Sequence, residues 1–171
     1  EYFLNLRVSR SEEWNLVPED HIYATEQFKL PVGLEQTAKT KGNLAVLQTN
    51  TIGNNLEVAG TDMKVVFNLE SGKLDSYVFK GKELFLKGPE PDFWRPPTDN
   101  DYGYGMDSWM GVWKKAGERT VVTKASISQP EPGKVIVVFR YDIKGLEGEK
   151  IAGYSTVYTI LGSSDVIVSN S

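Results

Sequence analysis

No cysteine occurs among the 171 residues, which excludes disulfides, thiolate nucleophiles and thiolate metal sites. The same absence leaves the compartment open between cytoplasm and periplasm, because many periplasmic proteins also lack cystine. The single histidine, His21, has no partner at metal-ligand spacing and reads as a strand-edge hydrogen bonder. No apolar run approaches the roughly 20 residues that span a bilayer, and no charged-then-apolar signal segment opens the chain. No membrane partner is therefore expected. The 19 basic and 23 acidic residues give a net charge of −4, and Lys and Arg are scattered, so the electrostatic footprint of a nucleic-acid binder is missing. What remains is an ordinary globular composition, 40% hydrophobic and 25% charged.

Period-two alternation dominates and predicts half-buried strands. Tyr2, Leu4, Leu6 and Val8 share one face of a first run, and a second runs from His21 to Leu30. Together they read as the last two strands of a small sandwich, residues 1–31. A polar, aperiodic stretch over 32–43 reads as a linker. Strand patterns resume at Leu44–Thr49, Leu56–Ala59, Met63–Leu69, Leu74–Phe79 and Leu84–Leu86, with turn chemistry at Glu70-Ser71-Gly72-Lys73 and Lys80-Gly81-Lys82. Three long runs follow, Thr120–Gln129, Lys134–Ile143 and Ile151–Leu161. Burying Val135, Val137, Phe139 and Tyr141 contributes about 1.5–3 kcal/mol per side chain, enough to define an inner face. The chain opens at Glu1 rather than Met and stops just after Val166-Ile167-Val168, so both ends are expected to be cuts. The fold class expected is all-β, an antiparallel sandwich with one short helix.

That helix is expected over Asp107–Gly117. Trp109, Val112, Trp113 and Ala116 fall at helical spacing, Asp107 or Ser108 can cap the start, and Gly117 can take the left-handed cap conformation. Trp109 and Trp113 then read as core packing, although either could stack on a sugar ring. Trp14, in a polar loop, reads as a cover for the end of the first sandwich.

The densest segment is Gly88–Ser108, GPEPDFWRPPTDNDYGYGMDS. Its four prolines fix an extended path, Asp99, Asn100 and Asp101 follow, and Gly103 and Gly105 come next. A rigid rail followed by glycine is the composition of a loop that presents polar groups and then moves. In an extended segment Asp99 and Asp101 would point the same way about 6–7 Å apart, tolerable for a two-carboxylate site. Paired acids in a Pro/Gly loop are mostly turn formers, however, so no catalytic residue is assigned. Arg95 can grip a substrate hydroxyl or tie the loop to a carboxylate of the same protein.

Phe93-Trp94-Arg95-Pro96-Pro97-Thr98-Asp99-Asn100-Asp101 closely resembles the FWRxPTDND signature of the C-terminal domain of the glycoside hydrolase family 2 β-galactosidases. Phe67–Leu74 resembles that domain's FxxxxGxL hairpin, and Trp113-Lys114-Lys115-Ala116-Gly117 its W-K-x-A-G. His21–Phe28 resembles the GHxxAxxQF ending of the preceding immunoglobulin-like domain, with Asp20 where Gly is usual. The resemblance implies that residues 44–171 are the N-terminal part of a galactose-mutarotase-like supersandwich, preceded by remnant immunoglobulin-like strands. It implies retaining hydrolysis by two glutamates at the C-terminal face of a TIM barrel, with magnesium and sodium bound by other domains. Neither glutamate motif nor the metal ligands occur in this sequence, so no cofactor and no metal site is expected here.

On the same resemblance the segment after the Asp-Asn-Asp triplet forms the rim of the barrel's pocket. Arg95, Asp99, Asn100, Asp101, Gly103, Tyr104, Asp107 and Ser108 are then rim residues, with Gly103 the pivot and Ser108 or Asp107 a polar latch. The β-galactoside would be met only in the full enzyme, with the barrel of the same chain as partner. Open strand edges also allow a homo-oligomer. Two other readings stay open: an autonomous carbohydrate-binding sandwich using Trp94 and Tyr104 as a platform, and an interaction domain without sugar contact.

Overall fold

The computed structural model describes residues 2–12, 15–30 and 44–171. The linker expected over 32–43 and Trp14 lie outside these residues. The chain divides into two compact units, Glu1–Lys41 and Gly42–Ser171.

In the first unit, β1 (Tyr2–Ser9) pairs antiparallel with β2 (Ile22–Leu30), from Tyr2 opposite Leu30 to Val8 opposite Ala24, with an irregularity between Val8 and Ser9. Arg10 donates its N–H to the His21 carbonyl and Asp20 returns one to Arg10, which closes the ladder. Asp20 stands at φ +64°, the left-handed region that Asp tolerates through its short polar side chain. That geometry explains why an Asp can fill a position where the family pattern has Gly. His21 does its hydrogen bonding through its backbone, and its ring meets Tyr23 edge-on at 5.2 Å.

The second unit is a sandwich of two antiparallel meanders. One sheet has the order β3 (Gln48–Ile52), β4 (Asn55–Ala59), β5 (Met63–Asn68), β6 (Lys73–Phe79) and β7 (Lys82–Glu83). The other runs from β11 (Val166–Asn170) through β10 (Lys150–Leu161) and β9 (Lys134–Lys144) to β8 (Thr120–Glu131). Alternate residues of each sheet turn inward, as the two-residue side-chain period requires. Leu56, Val58, Val65 and Phe67 meet Val135, Val137, Phe139 and Ile160, all essentially buried. Phe67 lies at the middle, 4.9 Å from Tyr158 and 6.2 Å from Phe139 between ring centroids.

The turns set the registers. Lys80 and Gly81 stand at φ +48° and +77° in the two-residue reversal that places Phe79 opposite Lys82, the backbone of a type I′ hairpin. The return strand is therefore Lys82–Glu83, not Leu84–Leu86, and Leu84 and Leu86 are exposed. The strand expected over Leu44–Thr49 starts only at Gln48. Leu47 instead plugs the core, its N–H bound to the Pro132 carbonyl at 2.8 Å. The Thr120–Gln129 pattern forms a strand, but β8 is the edge of its sheet and is mostly solvent-facing, with Val121 and Ile127 exposed.

The single helix expected over Asp107–Gly117 is replaced by three short turns: α1 (Asp99–Gly103), α2 (Met106–Trp109) and a 3₁₀ segment, Gly111–Arg119. Gly105, at φ +70°, starts α2 in place of Asp107 or Ser108, and Lys115 leaves helical geometry at φ −126°, ψ 25°. Met110, at φ −102°, ψ 4°, ends α2 before the 3₁₀ segment begins, and only Ala116 is fully buried in that segment. Trp109 is 58% exposed, not core. Gly117 is not left-handed; a Cβ there would lie 2.7 Å from the Pro91 carbonyl oxygen, so glycine is required by close approach.

Candidate functional site

The segment 88–119 leaves the first sheet after β7 and rejoins the second at β8. Its root is fixed to the sandwich. Phe93 packs against Trp113 at 6.1 Å and Tyr154 at 5.8 Å. Arg119 donates from Nε to the Lys144 carbonyl at 2.9 Å and from its guanidinium to the Val112 carbonyl. The Trp94 N–H is held by the Asp92 carboxylate at 2.9 Å.

Beyond the root, the Asp-Asn-Asp triplet is helical rather than extended, because Thr98 stands at the N-cap of α1. Asp101, the third helical residue, reaches back to accept from the Thr98 N–H at 2.7 Å and its hydroxyl at 2.9 Å. This carboxylate satisfies an otherwise orphaned N-terminal donor. Arg95 clamps the same carboxylate with two hydrogen bonds, 2.5 and 2.9 Å, in the bidentate geometry that suits a guanidinium. The tie from Arg95 thus runs to a carboxylate of the same protein. The spacing argument for an Asp99/Asp101 pair does not apply, since both residues belong to one helical turn.

Arg95, followed by the Thr98 N–H and hydroxyl, holds the Asp101 carboxyl well below the usual carboxylate range. A general acid of a glycosidase needs the opposite shift. Because the folded value is depressed, the pair's contribution to loop order is full above the ordinary Asp value of about 3.9 and disappears only as pH falls through the much lower folded value. We expect the Asp101 carboxyl resonance to titrate well below the ordinary aspartate value. In Asp101→Asn, proteolytic nicking between 95 and 110 should rise several-fold while the melting temperature of the sandwich hardly moves. Unchanged nicking would mean that the clamp does not order the segment.

The remaining rim residues of the sequence reading are on the outside: Asp99, Asn100, Gly103, Tyr104, Asp107 and Ser108 are all exposed. Tyr104 packs edge-on against Trp109 at 5.5 Å and does not share a surface with Trp94. Trp94 instead lines an open depression of about 480 Å³ with Asp92, Pro97, Tyr102, Asp107 and Lys114. Tyr102 carries no sequence signal of its own, because its approach to Trp94 depends on Thr98 turning the chain into α1. No cluster of three or more His, Asp or Glu side chains able to hold a cation occurs among the described residues.

Residues 59–171, more than half of the chain, match the family described as "Beta galactosidase small chain". The chain is similar to a β-galactosidase of Priestia megaterium, 31% identical over 134 residues, covering 78% of this chain and 13% of that protein. It is also similar to a β-galactosidase of Lactococcus lactis, 29% identical over 181 aligned residues, covering 97% and 17%. A β-galactosidase small subunit of Latilactobacillus sakei is 33% identical over 81 residues, 47% of this chain and 24% of that subunit. The chain spans less than a quarter of the length of each of these curated relatives.

Proposed function

Since the chain belongs to the beta galactosidase small chain family, we propose that it is a non-catalytic part of a retaining β-galactosidase. In this reading it supplies structure and one rim of a pocket in which terminal β-D-galactosyl residues are hydrolysed. The observation that carries the reading is the clamped α1 turn. Its root is packed, its Arg95–Asp101 pair is internally spent, and Asp99, Asn100, Tyr104, Asp107 and Ser108 face outward. Such a surface can touch a substrate or a neighbouring domain, while the Asp101 carboxylate is taken up within the loop by Arg95 and Thr98. The glutamates, and the magnesium and sodium that the resemblance implies, belong in this reading to a TIM-barrel partner, and α1 and α2 act on catalysis by closing or ordering the pocket.

Two measurements test it. The chain alone should not turn over a chromogenic β-galactoside, and robust turnover would overturn the assignment. In the whole enzyme, Gly103→Ala should change kcat or KM several-fold without loss of folding. The φ of Gly103 is not in the left-handed region, and a Cβ there meets nothing within 4 Å, so any kinetic effect reports on the rim. Unchanged kinetics would remove Gly103 from the mechanism. The depression beside Trp94 supports a second reading, a carbohydrate-binding sandwich that pairs Trp94 with Tyr102 rather than Tyr104. Saturable quenching of tryptophan fluorescence by galactose, lost in Trp94→Ala, would favour it.

A further inference from the structure

The second sheet ends on one side in β8, whose outer edge is paired with no other strand among the described residues. Its register against β9 is regular over residues 124–128 and shifts on either side, between Val122 and Lys124 and between Ser128 and Glu131. Pro130, just beyond, has no N–H to give. The edge therefore offers one short flat run whose outward backbone donors and acceptors are free to pair with another strand.

The two faces of this run differ. Ala125 stands opposite Phe139 and Ile127 opposite Val137, so both belong to the core side of the sheet. Yet Ala125 is exposed and Ile127 is 42% exposed. The core stops short of β8. Lys124, Ser126 and Ser128 lie on the opposite face and are exposed. Lys124 is the one charged residue between Thr120 and Gln129.

We infer that two copies of this chain pair through β8, antiparallel, about a two-fold axis at Ser126. Self-complementarity selects this occupant. An axis at Ser126 is the one that matches the whole run 124–128 with itself, as a closed, isologous contact requires. Ala125 of each copy then meets Ile127 of the other, which gathers four apolar side chains on the core side and carries the inner face across the join. Lys124 meets Ser128 and never its own counterpart, so the charge that would guard the edge is not set against itself. An axis at Ala125 would put Ile127 against Thr123, inside the bulge. An axis at Ile127 would put Lys124 against Pro130, which cannot donate to a ladder. The inference stands apart from the galactosidase reading, because no rim residue and no substrate enters it.

The test is sedimentation velocity of the full chain between about 1 and 100 µM, a range suited to a small interface. The mass should move from monomer to dimer across it. Ile127→Lys places a charge where the two apolar pairs meet and should weaken association about ten-fold or more, with an unchanged melting temperature. The chain has no cysteine, so Ser126→Cys reports the register directly. On the axis its Cα lies about 4.5–5.5 Å from its counterpart, within disulfide reach, and mild oxidation should link the two copies. Ser128→Cys, on the same exposed face but roughly 13 Å from its counterpart, should stay unlinked. A chain monomeric throughout, species larger than a dimer, equal linking at 126 and 128, or association unchanged in Ile127→Lys would each overturn the inference.

Discussion

Phe67→Ala should lower the unfolding free energy of the second unit by about 3–5 kcal/mol, the largest loss expected from any single truncation in the protein. The ring is completely buried, and it is the one side chain of the first sheet whose aromatic contacts reach both Phe139 and Tyr158 of the second. Removing it costs the transfer term and opens a void between two sheets that cannot close on each other, because Leu56, Val65 and Ile160 already fill the space around it. Phe67→Leu keeps much of the volume and should cost under about 1.5 kcal/mol. Urea melts should show a lower midpoint at the same slope. A loss below about 1 kcal/mol would mean that the sheets are not joined through this ring.

Gly72→Ala is the second. Gly72 sits in the β5–β6 turn at φ +71°, where an L side chain costs about 1–2 kcal/mol. A Cβ there would also lie 2.5 Å from the Tyr141 ring, and overpacking adds about 1–3 kcal/mol. A total of about 2–5 kcal/mol is expected. Gly53→Ala separates the two terms, since Gly53 also has positive φ, +58°, but nothing lies within 4 Å of its Cβ position. It should show the backbone cost alone. Equal losses at the two positions would mean that the Tyr141 ring gives way freely, against its hydrogen bond to the Gly72 carbonyl and its stacking on Tyr154.

The strands were legible because alternation is a local signal. Val135, Val137, Phe139 and Tyr141 are buried at every second place, and the Glu70–Lys73 turn falls where its glycine demands. The helical region was misread because spacing alone cannot register a break. Trp109, Val112, Trp113 and Ala116 sit at helical intervals, yet Met110, at φ −102°, and Lys115 interrupt the helix. The Arg95–Asp101 clamp was half visible: Arg95 was open to a carboxylate, but which one depended on Thr98 turning the chain into α1. The stacking of Tyr141 on Tyr154 was not legible, because the pairing of β9 with β10 decides which tyrosines meet, and register is set by turns and the core.

The Glu83 carboxylate has a consequence for how the protein behaves in a crowd. It takes hydrogen bonds from the Ser76 hydroxyl and from the N–H groups of Tyr77, Leu84 and Phe85. The outermost strand of its sheet, β7, is only two residues long. Backbone donors that would otherwise invite a foreign strand to dock are therefore tied up by one acid, and this side of the sheet offers little template for fibre growth.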